Sequence, residues 1–300
     1  MTVRAGGPGN GVLFAVTYWD VDGTVVGFGA AAHPEDPESM ALAEEAVETW
    51  SKVLRTRRVL IAATGSACAD PTPEVDATCP LVARAGSRVR EYADRGDSVV
   101  VLGQAGRVTD HLIGHAPEAA VLLESEAGVD DLDHIAPDQL SFVVAPGIPI
   151  EDVAQMLAAL RSRFPRLRGQ HPDEFCYAAS DRREALRSVA AASDLLLVCG
   201  DREEPETAEL LGWARPLGCR TRQLTDPARL RPEWLGIATA TVGIVTISSS
   251  PHLTNAMVEV LSGLGPLSVA HRRVSTDLVN AGTPVITPIS TPRFAAQLNG

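Results

Sequence analysis

Long apolar runs are absent from this sequence of 300 residues. No run reaches the roughly 18 to 20 apolar residues that a helix needs to cross a bilayer. Residues 1–10 are rich in glycine and polar side chains and lack the apolar centre of a signal peptide. We therefore expect a cytoplasmic location and no association with a membrane.

Lysine is nearly absent, because Lys52 is the single lysine and arginine supplies all other basic side chains. Acidic residues number 38 against 26 basic ones, which gives a formal net charge of −12. This surplus of negative charge is unfavourable beside a phosphate backbone. Binding to nucleic acid is therefore not expected.

Cysteines are few, and no two of the five form a CxxC pair. An odd number of cysteines in a cytoplasmic chain argues against a disulfide framework. The missing CxxC pair argues against a zinc finger or zinc ribbon. Three possibilities remain: buried structural thiols, a reactive thiol, and widely separated ligands to a metal cluster.

Hydrophobic residues make up 45% of the chain and charged residues 21%, so a sizeable core is expected. Apolar runs such as Val59–Ile61 suit buried parallel strands. Strands are predicted near residues 12–18, 24–28, 57–64, 98–102, 121–123, 140–144, 195–198, 221–224 and 242–247, and helices near 38–54, 80–95, 151–164, 177–192, 207–217 and 252–264. This alternation predicts an α/β fold with mostly parallel sheets and ligand sites beyond the carboxyl ends of the strands.

Three cysteines stand at the ends of predicted elements. Cys79 and Cys176 each lie at the start of a helix, where free N–H groups and the helix dipole stabilise a thiolate. Cys199 ends an apolar strand. Thiolates brought together from separate units are what an iron–sulfur cluster requires, whereas free cysteines are also common in protein cores. The spacing alone leaves both interpretations open.

Several motifs resemble those of one enzyme family. Asp76–Val82, which reads DATCPLV, resembles a motif of the LytB family, the hydroxymethylbutenyl diphosphate reductases of the non-mevalonate isoprenoid pathway. Cys176–Ala178 followed by Arg182 resembles that family's CYAT…R motif. Val242–Pro251 resembles its VGVTAGAS-x-P segment. The resemblance covers about residues 59–264, in order and at sensible spacing.

This resemblance implies three repeated α/β domains in a trefoil arrangement around a central site. The corresponding boundaries are 1–78, 79–175 and 176–268, with a C-terminal tail over 269–300. It also implies a 4Fe-4S type iron–sulfur cluster held by three cysteines, one from each domain. The open iron of such a cluster removes an allylic hydroxyl group reductively, with a ferredoxin or flavodoxin as electron donor.

The cysteine set departs from that pattern. The family's first cysteine is missing, because the first 67 residues contain none. Cys79 and Cys176 match the second and third cluster ligands. We expect Cys199 or a group other than cysteine to complete the set.

The catalytic segment departs as well. The family's HPEVEGT segment corresponds here to Arg107–His111, and its catalytic Glu falls on Thr109. Asp110 and His111 are therefore the candidate catalytic residues, and Arg107 is a candidate for binding substrate. The family's early His-Gly appears as Thr64-Gly65, so Thr64 is a further candidate substrate contact.

The anion-binding motif is also changed. The family's SSN diphosphate motif falls on Glu204-Pro205-Glu206, whose carboxylates would repel a diphosphate. Of the groups that hold phosphate, Ser249 persists, with Ser248 and Ser250 beside it. We assign these three serines to substrate binding, and we expect a substrate other than the standard diphosphate.

Three functions follow from these observations. The first is a diverged LytB-like iron–sulfur reductase that acts on a small molecule through Cys79 and Cys176. The second is a binding or regulatory protein that keeps the scaffold without the cluster. The third is a cofactor-free enzyme with Cys79 as nucleophile and His111 as base. His111 and His115 could also share a metal ion on one helix face, and the oligomeric state is left open.

Overall fold

The computed structural model describes residues 2–7, 9–20, 22–63, 79–132, 135–136, 138–277 and 285–286, and of residues 2–10, 277 and 285–286 it describes only the backbone. Thr64, Cys68 and the first part of the DATCPLV motif, 76–78, lie outside the described residues. Within them, no helix is both long enough and apolar enough to cross a membrane.

The chain begins with an antiparallel sheet of three strands in the order β1-β2-β3. Its strands are β1 (Thr2–Gly7), β2 (Gly9–Trp19) and β3 (Val25–Ala32). The predicted Asp22-Gly23 turn joins β2 to β3, because the Asp22 carboxylate accepts hydrogen bonds from the backbone N–H and the hydroxyl of Thr24. Sequence patterning missed β1, whose run of small residues carries no alternation.

Helix α1 (Pro37–Ser51) packs on this sheet. Asp36 caps it by accepting from the N–H groups of Glu38 and Ser39. Phe14 and Val47 are among the buried residues of the small core between them.

A second sheet has five strands in the order β10-β9-β11-β4-β12, and the pairs β10-β9, β9-β11 and β11-β4 are parallel. The strands are β4 (Arg57–Ala63), β9 (Leu195–Cys199), β10 (Thr221–Leu224), β11 (Thr241–Thr246) and β12 (Leu267–Arg273). Helices α5 (Ala178–Ala191), α6 (Pro205–Ala214) and α7 (His252–Ser262) connect or flank them.

A third sheet has four parallel strands in the order β6-β5-β7-β8. They are β5 (Ser98–Leu102), β6 (Ala120–Leu123), β7 (Leu140–Val144) and β8 (Arg168–Gly169), accompanied by helices α2 (Pro80–Asp94), α3 (Arg107–Ile113) and α4 (Ile150–Arg163). Short 3-10 helices cover Glu126–Leu132, Pro172–Glu174, Arg215–Leu217, Pro227–Arg229 and Pro232–Leu235, and a small ribbon pairs β13 (Thr276–Asp277) with β14 (Val285–Ile286).

The predicted α/β class with mostly parallel sheets is confirmed. Nearly continuous apolar runs form the central strands, because helices cover both faces of a parallel sheet. The described residues divide into two compact units, one of residues 2–63 and 185–272 and the other of 79–184 and 273–286. The three domain boundaries expected from the sequence stay a prediction.

Candidate functional site

Cys79 lies where the sequence places it, at the start of a helix. It is the N-cap of α2 and makes no side-chain capping bond, while its carbonyl oxygen accepts from the N–H groups of Val82 and Ala83. Pro80 occupies the first helical position, where its missing N–H costs nothing. The thiol is partly exposed at the start of α2.

Cys176 lies two residues before α5 and is 4% exposed. A pair of side chains ties its segment to α2. Arg88, on α2, donates from Nε and Nη2 to the two carboxylate oxygens of Glu174, at 3.1 and 2.5 Å. This bidentate contact connects the helix that begins after Cys79 with the short segment that leads into Cys176. Patterning alone missed it, because 86 residues separate the partners.

The start of α5 is anchored to the start of α4. The Ser180 hydroxyl accepts from the backbone N–H of Ile150 and donates to the Glu151 carboxylate. Arg183 forms an ion pair with Asp152 at 3.0 Å. Two hydrogen bonds and one ion pair therefore fix the helix that follows Cys176.

Cys199 lies in a different environment. It ends β9, is 1% exposed, and belongs to a hydrophobic core that includes Ile61, Leu197 and Ile244. Burial raises the pKa of this thiol to about 12, so the sulfur stays protonated at neutral pH. The end of a parallel strand is buried on both faces, and the side chain points into that core instead of a cleft.

No three histidine, cysteine, aspartate or glutamate side chains within the described ranges lie close enough together to hold a metal ion. Cys79, at the start of α2, and Cys176, two residues before α5, are of the residue type that holds an iron–sulfur cluster. The part of the chain that the structure describes supplies no third ligand beside them.

The segment Arg107–His111 forms the short helix α3. Thr109, at the position of the family's acid, is 2% exposed, and its hydroxyl bonds to the backbone of Gln104 and Gly106. This side chain holds the loop after β5 and has no polar atom left for substrate. The candidates Arg107, Asp110 and His111 are exposed on the same helix.

His111 and His115 do meet, with ring centroids 4.9 Å apart and an edge-to-face arrangement. The partly exposed His115 ring also packs against α2. Its Nδ1 lies 2.9 Å from Nη2 of Arg90, and its Nε2 lies 2.4 Å from where a Cβ on Gly86 would stand. Burial first, and then the nearby His111 and Arg90, lower the pKa of His115. The proposed shared metal ion would thus meet a guanidinium on one side and the helix backbone on the other.

The three candidate serines follow β11. Ser248 is bound to a carboxylate of the same unit: its backbone N–H lies 3.0 Å from both Oε1 and Oε2 of Glu206, and its hydroxyl donates to Oε1 at 2.9 Å. Ser249 is exposed and Ser250 is partly exposed. Glu206 lies in the first turn of α6, where a negative charge is favourable.

The sequence predicts that Glu206 repels an anion, but it does not predict the pairing of Glu206 with Ser248. The two residues are 42 positions apart and meet because β9 and β11 are neighbouring parallel strands. The remaining candidate, Thr64, lies outside the described residues.

A family model described as LytB protein matches residues 41–262. The 4-hydroxy-3-methylbut-2-enyl diphosphate reductase 2 of Mycobacterium bovis is 34% identical over 213 residues, which are 70% of this chain and 64% of that protein. The 4-hydroxy-3-methylbut-2-enyl diphosphate reductase of Acidithiobacillus ferrooxidans is 31% identical over 227 residues, 74% of this chain and 71% of that protein. The chain therefore spans less than two thirds of the mycobacterial relative.

Among solved structures, the E-1-hydroxy-2-methyl-but-2-enyl-4-diphosphate reductase of Plasmodium falciparum matches with a TM-score of 0.56. The match covers 76% of this chain and 75% of that one, at 20% sequence identity. This likeness shows a shared fold. The family match begins at residue 41, so the whole N-terminal sheet, which ends at Ala32, precedes it.

Proposed function

This chain belongs to the LytB protein family, and from that premise we propose that it is an iron–sulfur reductase of small molecules whose cluster is held by Cys79 and Cys176. The observation that carries the proposal is the Arg88–Glu174 contact, which ties the segments bearing these two cysteines together within one compact unit. When bound, the cluster supplies electrons and a Lewis-acidic iron to the reaction.

The residues of the chain have separate roles in this proposal. Cys79 and Cys176 provide thiolates, favoured at the starts of α2 and α5. Cys199 remains a protonated core thiol, and a group other than cysteine takes the third position. Asp110 and His111, on the exposed surface of α3, are the candidate proton donors, with Arg107 as a candidate substrate contact.

The substrate we propose is not the diphosphate named for the relatives. Glu204 and Glu206 place negative charge at the start of α6, and charges of like sign repel at close range. A small hydroxylated molecule without a phosphate group fits this region better. The chain would receive electrons from a ferredoxin or flavodoxin in the cytoplasm.

Two measurements test the proposal. Protein prepared without oxygen should contain iron and acid-labile sulfide, and the cluster should change its EPR signal on reduction. Reduced protein should then remove the hydroxyl group of small allylic alcohols, with water as co-product, in preference to the corresponding diphosphates. Protein without iron, even after reconstitution with iron and sulfide, would contradict the proposal and favour the cluster-free binding protein.

A further inference from the structure

The carboxyl ends of β9 and β11, two neighbouring inner strands of the five-stranded sheet, form the type of position at which open parallel sheets bind ligands. The chain leaves β9 for β10 on one side and reaches β11 on the other side of β9. Ligands of open parallel sheets bind beyond the carboxyl ends of the strands, at the point where the order reverses. Here the two loops that meet at this point contain Gly200–Glu204 and Ile247–Pro251.

The loop after β11 carries donors that would suit an anion. The backbone N–H and the hydroxyl of Ser248 point the same way, since both reach one carboxylate. Two donors that converge on two oxygens of a planar anion also match two oxygens of a phosphate group. Yet these donors are taken by Glu206, which comes from the start of α6.

A second observation at this end of the sheet concerns Thr207, the residue after Glu206. It is fully buried, and its hydroxyl has no hydrogen-bond partner within the described residues. The Oγ1 atom lies 2.5 Å from where a Cβ on Gly200 would stand, directly at the carboxyl end of β9. A buried hydroxyl without a partner is unfavourable by itself, so Thr207 leaves one unpaired polar group at this end of the sheet.

We infer that Glu206 determines the specificity of this site: its carboxylate occupies the position on Ser248 that an anionic ligand group would take, so the site accepts ligands with an uncharged polar end and excludes phosphates and diphosphates. Local charge acts in the same direction, because Asp201, Glu203 and Glu204 lie in the preceding loop with only Arg202 to balance them. The inference deepens the proposed function, on which it rests for the identity of the ligand as a substrate.

Titration of inorganic diphosphate into the full-length chain tests this inference by calorimetry. The wild-type chain should give no saturable heat up to about 10 mM, the concentration at which weak ionic contacts become visible. Glu206→Ser frees the donors of Ser248 and should give saturable binding, with a dissociation constant about tenfold or more below that concentration limit. Glu209→Ser, an exposed position of the same helix, changes the net charge equally and should leave diphosphate binding undetectable.

Two further variants make the result specific. Glu206→Gln keeps the size of the side chain and removes its charge, so it should also bind diphosphate, more weakly than Glu206→Ser, and it replaces that variant if Glu206→Ser does not fold. The double variant Glu206→Ser with Ser248→Ala should lose most of the gained affinity. Wild-type protein that binds diphosphate as tightly as Glu206→Ser would overturn the inference, and so would the absence of binding in every folded variant.

The diphosphate titration and the iron measurement test separate claims, so one claim can be rejected while the other stands. The diphosphate titration depends only on residues at the carboxyl ends of β9 and β11 and at the start of α6. It can be measured on protein with or without iron. Iron-free protein that gains diphosphate binding on Glu206→Ser would reject the proposed reductase and keep the role of Glu206. Iron-loaded wild-type protein that binds diphosphate tightly would keep the reductase and reject that role.

Discussion

The guanidinium of Arg88 donates hydrogen bonds to both carboxylate oxygens of Glu174, and this contact joins the helix after Cys79 to the segment before Cys176. Arg88 also pairs with Glu91 one helical turn away, at 2.5 Å. The Glu174 side chain is 14% exposed, whereas that of Glu91 is 47% exposed. The partly buried bidentate pair should therefore matter more than the pair on the helix surface.

Replacement of Glu174 by Gln should lower the free energy of unfolding by about 1 kcal/mol, since a charge-assisted bidentate contact becomes a neutral one. The variant should also lose iron faster than wild-type protein when a chelator is added, because the segment before Cys176 is less firmly held. Urea unfolding and the rate of iron release measure the two effects. Glu91→Gln is the matched control, with an expected change under about 0.5 kcal/mol. Equal effects of the two variants would show that the contact has no positioning role.

The same pair gives the protein a dependence on pH. The hydrogen bonds from Arg88 are the first cause that lowers the pKa of Glu174 from its ordinary value of 4.5. A carboxyl group whose pKa is lower in the folded state adds stability that is complete above the unfolded pKa and is lost as pH falls through the folded pKa. Wild-type protein should therefore lose more stability than Glu174→Gln between pH 6 and pH 3 or so, and parallel curves for the two proteins would refute this assignment.

Two glycines, one in a buried strand and one on an exposed helix surface, offer a matched test of close packing. A Cβ on Gly243, in β11, would lie 2.7 Å from Val189 of α5 and 2.7 Å from Ser193. Because these neighbours surround a buried strand, Gly243→Ala should cost about 1 to 3 kcal/mol of stability. Gly212, in α6, has open space where a Cβ would be, so Gly212→Ala should stabilise the protein by about 0.5 to 1 kcal/mol. Thermal unfolding should separate the variants in opposite directions; a stabilised Gly243→Ala would disprove the packing argument.

Arg57 is a buried arginine whose guanidinium bonds to backbone carbonyl oxygens. It is 1% exposed and donates to the carbonyls of Val53, Leu235 and Leu264, which are far apart in the sequence. Burial, and then the nearby Arg55, lower its pKa to about 10, so it stays charged at neutral pH.

Arg57→Met should cost about 2 to 4 kcal/mol, because it leaves buried carbonyl groups without their donor. Arg58 is the next residue of the same strand and is exposed, so Arg58→Met serves as the control with a change within about 0.5 kcal/mol. Denaturant unfolding of the two variants decides the matter. A similar loss of unfolding free energy in both variants would mean that the buried hydrogen bonds of Arg57 add no stability beyond that of an exposed arginine.

Much of the fold could be predicted from sequence, because the signals were local. The run Leu140–Val144 and the strand Ser98–Leu102 appear with the predicted bounds, since continuous apolar runs bounded by turn residues fit a buried strand. Helix α2 ends before Gly96, whose φ of 85° suits the position after a helix. Strand β12 was missed, because it lies on the edge of its sheet and has a mixed, half-exposed composition.

The candidate site was less accessible to sequence reasoning, because its contacts join residues that are distant in the chain. The position of Cys199 at a strand end was right, but only the structure shows its side chain in the core. The pairing of Glu206 with Ser248 depends on the neighbouring positions of β9 and β11. Local patterns carry no information on either point.

The measurement that tests the central claim most directly is the iron and acid-labile sulfide content per chain of wild-type protein and single-cysteine variants, all prepared without oxygen. Cys79→Ala and Cys176→Ala should each lose most of the iron, whereas Cys199→Ala and Cys219→Ala should keep the wild-type content. Equal iron in all five proteins, or none in the wild type after reconstitution, would contradict the assignment of Cys79 and Cys176 as the cluster ligands.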